Sequence, residues 1–471
     1  MQNRTGFVLL LMVAWCTLPS WPTSPVTAQE SAQESTEAAD PALVEMVIGF
    51  LKEDDKELRG LAYEQVRAGA PGAAATQQFA AELPKLSAES QIGLIRALAE
   101  RGDGAARDSL LQLLDAEQSD VRVAVLEALA FLGNADDVDL LWKKATSDQA
   151  AEAAAARSTL ERMPIEEVNN RLVTRLSDLS VSQQATLIEI LAARRASSTV
   201  PALLQAAVAD KPAVRSAAMN ALGQLAGAEH IAAMVQGVLK AERGPEQVAA
   251  EKAVMFVCQR IEDPAHRAEP LAAAIRDLPA GDRLAMLTTL ARVGGAEARA
   301  DVDAAINSKN ADEHAAGLRA IANWPDATIA PRLLEIIKTD PHPSHKTLVL
   351  RALIRVAVLP DERTNAARLE LLRQAMTLAT RDAERLFVLQ RAQAVRDVET
   401  LRYVMPYVKL AAFREAACTT IVELAHHRQL RDAHKNEFLP ALDLVIKNSS
   451  DATTVDRARR YKNNQTWVRP K

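Results

Sequence analysis

Residues 120–133 read DVRVAVLEALAFLG, and residues 213–227 read AVRSAAMNALGQLAG. Each carries Val-Arg near the start of an apolar run with helical spacing, and each closes on a leucine and a glycine. A frame opened at Ser87 and stepped by 31 residues falls on Gln118, Gln149, Ser180 and Lys211. Its twelfth position is Leu98, Leu129, Leu160, Leu191 and Leu222. Its twenty-fourth is Leu110, Leu141, Leu172, Leu203 and Met234, and its twenty-fifth is Leu111, Trp142, Val173, Leu204 and Val235. Self-similarity at a fixed period of this length marks a repeat architecture.

Each frame holds two helical blocks, such as QSDVRVAVLEALAFL (118–132) and NADDVDLLWKKAT (134–146), with Gly, Asn or Asp between them. One hairpin cannot bury both of its apolar faces, whereas stacked hairpins can. An earlier frame starts near Asp55. Later ones start near Arg243, Pro279, Lys309, Pro343, Ala379 and Ala411, with insertions such as LPDERTNA (359–366) placed at loops. The expected fold is all-α, a superhelix of about twelve hairpins over residues 43–449.

The two-helix unit, its Val-Arg and its Leu-x-x-Leu-Gly ending resemble HEAT-like repeats. The resemblance implies a right-handed α–α superhelix whose second helices line the concave face. Frames 87, 149 and 180 depart from it, with Gln91, Ala153 and Gln184 where the arginine would stand. The Trp, Tyr and Phe positions of TPR repeats are not filled. AIANWPDATIAPRLLEII (320–337), LVLRALIRVAV (348–358), RDAERLFVLQ (381–390) and RARRYKNNQTW (457–467) are similar to the C-terminal repeats of secreted HEAT-repeat proteins from planctomycete-type bacteria. That resemblance implies an extracytoplasmic setting and names no activity.

The opening fits such a setting. Arg4 precedes an apolar run from Phe7 to Leu18, and Val26-Thr27-Ala28 offers small residues for a signal peptidase. Residues 1–28 are therefore read as a signal peptide and 29–42 as a disordered lead-in. No later stretch has the length and apolarity of a membrane span. The expected location is periplasmic or secreted. Of the three cysteines, Cys258 and Cys418 follow the signal, and both read as small core residues too far apart for a disulfide.

Charge is divided unevenly. Beyond residue 28 the chain carries 55 bases and 61 acids, a balance of −6. Residues 342–471 hold 23 Lys and Arg against 14 Asp and Glu, or +9, which leaves −15 on residues 29–341. A basic end attracts an anionic partner, either another protein or an anionic polysaccharide. On the HEAT layout the second helices of this end supply Arg332, Arg368, Arg373, Arg402 and Lys409 as candidate contacts. A basic tail over 450–471 adds Arg457, Arg459, Arg460 and Lys462. Secretion and the acidic majority of the chain disfavour nucleic acid.

Signatures of chemistry are absent from the sequence: there is no Cys-x-x-Cys-His, His-Glu-x-x-His, Gly-rich phosphate loop or Gly-x-Ser-x-Gly elbow. DPHPSH (340–345) sets His342 and His345 beside Asp340, but its two prolines mark a connector, and metal sites usually draw ligands from elsewhere too. HHRQLRDAH (426–434) contains His426, His427 and His434 and reads as the polar end of a hairpin. No cofactor or metal is expected from sequence. Trp324 and Trp142 read as packing residues, and Trp467 is the aromatic expected to be exposed. These readings favour a non-catalytic binding scaffold. The alternatives are an accessory or lyase-type enzyme on a HEAT-like fold, and an envelope spacer with no specific ligand.

Overall fold

The computed structural model describes residues 39–467. The expected signal peptide and most of the expected lead-in lie outside that range. Among the described residues there is helix and turn but no strand. The chain divides into two compact units at Leu132/Gly133.

The first unit begins at Pro41–Leu51, two residues ahead of the expected boundary. Asp40 accepts from the Ala42 amide at 2.9 Å and caps that helix. Lys56–Glu64 is followed by Ala73–Ala80, Ala88–Arg101 by Arg107–Gln112, and Ser119–Leu132 closes the unit. Ser119–Leu132 is the stretch with the founding pattern. It buries Val121, Ala124, Val125, Leu126, Ala128, Leu129, Ala130 and Leu132.

The second unit opens with Val138–Ala145 and continues as nine helix pairs. Their first helices are Ala150–Arg162, Val181–Ala193, Pro212–Leu225, Pro245–Gln259, Ala280–Val293, Ala311–Ile321, Pro343–Ala357, Asp382–Ala392 and Arg414–His426. Each starts within three residues of its expected frame. Leu160, Leu191 and Leu222 are fully buried, as are Leu172, Leu203 and Met234. The twenty-fifth position sits at the edge of the core: Val235 is buried, but Val173 and Leu204 are half-exposed. Residues 450–462, expected as part of a tail, instead include the helix Ala452–Lys462, which buries Thr454, Ala458 and Tyr461.

Turn chemistry explains the punctuation between helices. At five hairpin turns an Asp or Asn carboxylate or amide oxygen accepts the amide two residues on. The residues are Asp103 (3.0 Å), Asn134 (2.8 Å), Asp263 (2.9 Å), Asp326 (2.9 Å) and Asp397 (2.9 Å). This local bond starts the second helix. Gly102 ends Ala88–Arg101 at φ +74°, a left-handed cap that glycine adopts without strain. Gly317 serves packing instead, since a Cβ there would stand 2.7 Å from the Ile306 backbone nitrogen.

The arginine of Val-Arg has a structural task. The last carbonyls of a helix lack intrahelical partners. In five repeats an arginine in or beside the first turn of one helix donates to the carbonyl six residues upstream, at the end of the preceding segment. The pairs are Arg59 to Glu53 (2.8 Å), Arg122 to Ala116 (2.6 Å), Arg215 to Ala209 (3.0 Å), Arg385 to Ala379 (3.2 Å) and Arg414 to Val408 (3.3 Å). The three departing frames keep this cap by other means. Gln91 reaches Leu83 O and Gln184 reaches Leu176 O, both at 2.9 Å across eight residues. Ala153 cannot donate, and Arg157 reaches Ala145 O at 2.9 Å.

A second set of arginines, at the far ends of first helices, spans to the previous repeat. Arg101 donates to Val66 O (2.7 Å), Arg194 to Ile165 O (2.9 Å), Arg260 to Gly223 O and Ala226 O, and Arg355 to Ala322 O (3.1 Å) and Trp324 O (2.6 Å).

Two measurements check this architecture. Leu222→Ala is expected to cost about 2–5 kcal/mol in chemical denaturation, because a fully buried leucine leaves a cavity. Arg260→Met is expected to cost about 1–3 kcal/mol by stranding the Gly223 and Ala226 carbonyls.

Candidate functional site

The basic residues expected to meet a partner fall where the hairpin reading placed them. Arg332 lies on Ala330–Thr339, Arg368 and Arg373 on Asn365–Leu378, Arg402 on Val398–Val404, and Lys409 ends the short turn after it. Most of their charge is engaged within the fold. Arg332 bonds Asp303 (2.9 Å) and Glu335 (2.8 Å). Arg368 donates to the Asp361 carbonyl at 2.6 Å. Arg402 forms a fork with Glu437 at 2.7 and 2.6 Å and also meets Glu399.

The C-terminal bases behave similarly. Arg457 pairs with Glu423 at 2.5 Å and lies over the Tyr461 and Trp467 rings. Trp467 is half-buried against the core beneath that guanidinium, so it is not the exposed aromatic the sequence suggested. Arg460 pairs with Asp456 at 3.0 Å, and Lys462 with Asp443 at 2.5 Å. Sequence counting missed the Arg457 and Lys462 pairs because their partners lie 34 and 19 residues away; the Arg460–Asp456 pair is a local i,i+4 contact.

Arg373, Lys409 and Arg459 remain exposed with no carboxylate partner among the described residues. Arg373 stacks on Tyr403, with 5.7 Å from Cζ to the ring centroid. It lines one surface depression with Lys338, Leu334, Glu370, Gln374, Thr377 and Leu378. Lys338, from the neighbouring second helix, is likewise exposed and without a carboxylate partner. Glu370 at the rim is held by Gln374 at 3.2 Å. Two cations without a carboxylate partner thus share this depression with Leu334 and Leu378 and with one acid, Glu370.

A neighbouring depression is different. It contains Pro343, Lys346, Thr347, Arg381 and Glu384. There the carboxylate of Glu384 is buried and takes Arg381 at 2.8 and 2.7 Å and Arg351 at 2.9 Å. The Arg381 bond is the main reason its carboxyl is held below the usual range.

Among the described residues, Asp340 and His345 of DPHPSH form a group of ligand-type side chains with His314, and the stretch from Pro343 on is the first turn of a helix rather than a connector. Asp340 stands two residues before the N-cap of Pro343–Ala357, and its Oδ1 accepts the amide of that cap residue, His342, at 2.7 Å. Its Oδ2 meets His345 Nδ1 at 3.2 Å and His314 Nε2 at 2.9 Å. Burial alone would raise the Asp340 carboxyl, but the His342 amide and the two imidazoles outweigh it and hold it below its ordinary value. His314 comes from Ala311–Ile321, 26 residues upstream, and its Nδ1 faces the Ile306 carbonyl. His314 therefore does for its repeat what Gln91 and Gln184 do for theirs.

The other singled-out residues are structural. Trp324 and Trp142 are buried. Cys258 and Cys418 are buried free thiols, which burial pushes up to about 12 and about 11. His426 meets the Tyr461 hydroxyl at 2.9 Å.

A family model matches part of the chain. Residues 76–161 and 169–255 match the family model of HEAT repeats. The hairpin fold is HEAT-like. Crystal structures of Kap121p, bound to Nup53p or alone, align at 10% and 12% identity with TM-scores of 0.48 and 0.46, in each case over 89% of this chain and 53% of that one. A Kap95p structure with RanGDP aligns at 10% identity and TM-score 0.44, over 90% of this chain and 66% of that one. The chain thus spans about half the length of Kap121p. No curated protein matches the sequence. No helix among the described residues is long and apolar enough to cross a membrane.

Acid sensitivity tests the internal pairing of charge. The lowered carboxyl of Glu384 contributes stability above the ordinary Glu value of about 4.3, and this is lost as pH falls through the folded-state value. Glu384→Gln is expected to flatten the fall in urea stability between about pH 5 and pH 3.

Proposed function

We propose that this chain is a HEAT-repeat scaffold without intrinsic catalysis, which acts outside the cytoplasm and holds an acidic partner on its second-helix surface. The partner is another protein or an anionic polysaccharide. The observation that carries the reading is the depression where Lys338 and Arg373, both exposed and lacking carboxylate partners, flank Leu334 and Leu378. Partner recognition at a surface of this kind combines apolar contact with charge that steers the encounter. Lys409 and Arg459 are the remaining unpaired members of the basic set. Arg332, Arg402, Arg457 and Lys462 pair with carboxylates of other helices, and Arg368 and Arg460 are held by local partners. The extracytoplasmic setting rests on the signal-like opening and on the resemblance of residues 320–467 to secreted bacterial HEAT-repeat proteins.

Affinity capture from the producing cell's extracytoplasmic fraction tests this. One acidic component should bind at low salt and leave as salt rises, because exposed charge is screened. Lys338→Glu with Arg373→Glu should weaken capture by roughly tenfold or more. Arg402→Glu, which disturbs an internal fork, should lower the melting temperature instead. Capture insensitive to salt and to the Lys338/Arg373 reversal would overturn the assignment.

A further inference from the structure

The group formed by His314, Asp340 and His345 performs more than a capping task. The Ile306 carbonyl can only accept, so Nδ1 of His314 carries a hydrogen toward it. Nε2 of the same ring then faces Asp340 Oδ2 at 2.9 Å, and His345 Nδ1 faces the same oxygen at 3.2 Å. Two ring nitrogens from different helices therefore converge on one buried carboxylate oxygen, an arrangement that a shared cation satisfies as well as N–H donors do.

We infer that His314 Nε2, Asp340 Oδ2 and His345 Nδ1 form a binding site for a first-row divalent metal ion, zinc above all. The three atoms lie within 4.8 Å of one another. A zinc ion bonded at about 2.0–2.2 Å in tetrahedral geometry needs ligand atoms about 3.3–3.6 Å apart; the two separations to Asp340 Oδ2, 2.9 and 3.2 Å, open to that by several tenths, and the two imidazole nitrogens lie within 4.8 Å of each other.

The ligands are oriented from behind. The second nitrogen of His314 is held by a backbone carbonyl, and the second oxygen of Asp340 is held by the His342 amide. Backbone contacts of this kind fix ring tautomer and carboxylate direction in metal sites. Asp340 is almost completely buried, whereas the two imidazoles are each about a quarter exposed, so an ion has an entry path. Two imidazoles and one carboxylate suit zinc, nickel or copper and do not suit calcium or magnesium. The fourth position is left for water or for the imidazole of His342, whose ring centre is 4.9 Å from that of His345. The ion would join Ala311–Ile321 to Pro343–Ala357, the first helices of two consecutive repeats.

The repeats themselves supply a clean variant. Glutamine caps the equivalent carbonyl across eight residues at Gln91 and Gln184, as His314 does at Ile306. His314→Gln therefore keeps the cap and removes a ligand. His345→Ala removes another and leaves the His342 amide bonded to Asp340 at the start of Pro343–Ala357. Chelator-treated full-length protein is titrated with zinc against a chromophoric competitor, and bound metal is counted by mass spectrometry. One zinc per chain is expected at micromolar affinity or tighter, uncompeted by excess calcium or magnesium. Each variant should weaken binding by about 100-fold or more while melting as wild type does in chelator. Cobalt should give the visible absorption of a four- or five-coordinate ion in the wild type, and lose it in the double variant. Failure to bind stoichiometric zinc would overturn the inference. So would binding that survives in the double variant, which would place the metal on other histidines.

Discussion

The stack depends on closing the ends of its helices. Every short helix leaves carbonyls without partners, and the 27 α-helices of the described residues multiply that problem. The arginine of Val-Arg meets it at the junction between consecutive repeats. Arg215 shows the full arrangement: it is almost wholly buried, donates to Ala209 O and Asp210 O at 3.0 Å, and forks onto Glu246 at 2.8 and 3.0 Å. One side chain thereby ends a second helix, starts a first helix and ties both to the next repeat. Glu246 in turn accepts the Glu242 amide at 3.1 Å. A buried charge is tolerable only when paired and hydrogen-bonded, and here it is both.

The repeat was legible because its strongest signal is a buried leucine at fixed period. Leu98, Leu129, Leu160, Leu191 and Leu222 needed only the 31-residue step, and all are fully buried. The frames that broke the Val-Arg pattern hid their compensation. Glutamine reaches its carbonyl across eight residues where arginine spans six, and Arg157 reaches Ala145 across twelve. The motif is thus a rule about satisfying carbonyls, and several side chains satisfy it. The final helix was missed because Ala452–Lys462 is highly charged and reads as tail. Its burial is carried by Tyr461 and Ala458.

Charge counting was the weaker guide to function. It located a basic end but could not separate bases that brace the repeats from bases that face outward. Arg402 and Lys462 look like partner contacts in sequence, and each holds a carboxylate of another helix. Lys338 was not among the expected contacts although Arg332 on the same helix was, yet it is Lys338 that shares a depression with Arg373. Long-range pairing also concealed the histidine site. DPHPSH displays three potential ligands in six residues, but the one that completes the group, His314, sits in a helix that gives no such hint. The same helix-end carbonyl requirement fixes that ring in place.

Hydrogen exchange on the intact chain carrying Arg215→Met tests the central claim most directly. Stability in a repeat array is a sum of units and nearest-neighbour interfaces. If Arg215 closes one junction, amides in residues 181–276 should exchange about ten- to a hundredfold faster, since about 1.4 kcal/mol corresponds to each tenfold change. Amides beyond residue 380 should be unchanged. Unaltered exchange around the junction, or uniform acceleration along the whole chain, would contradict it.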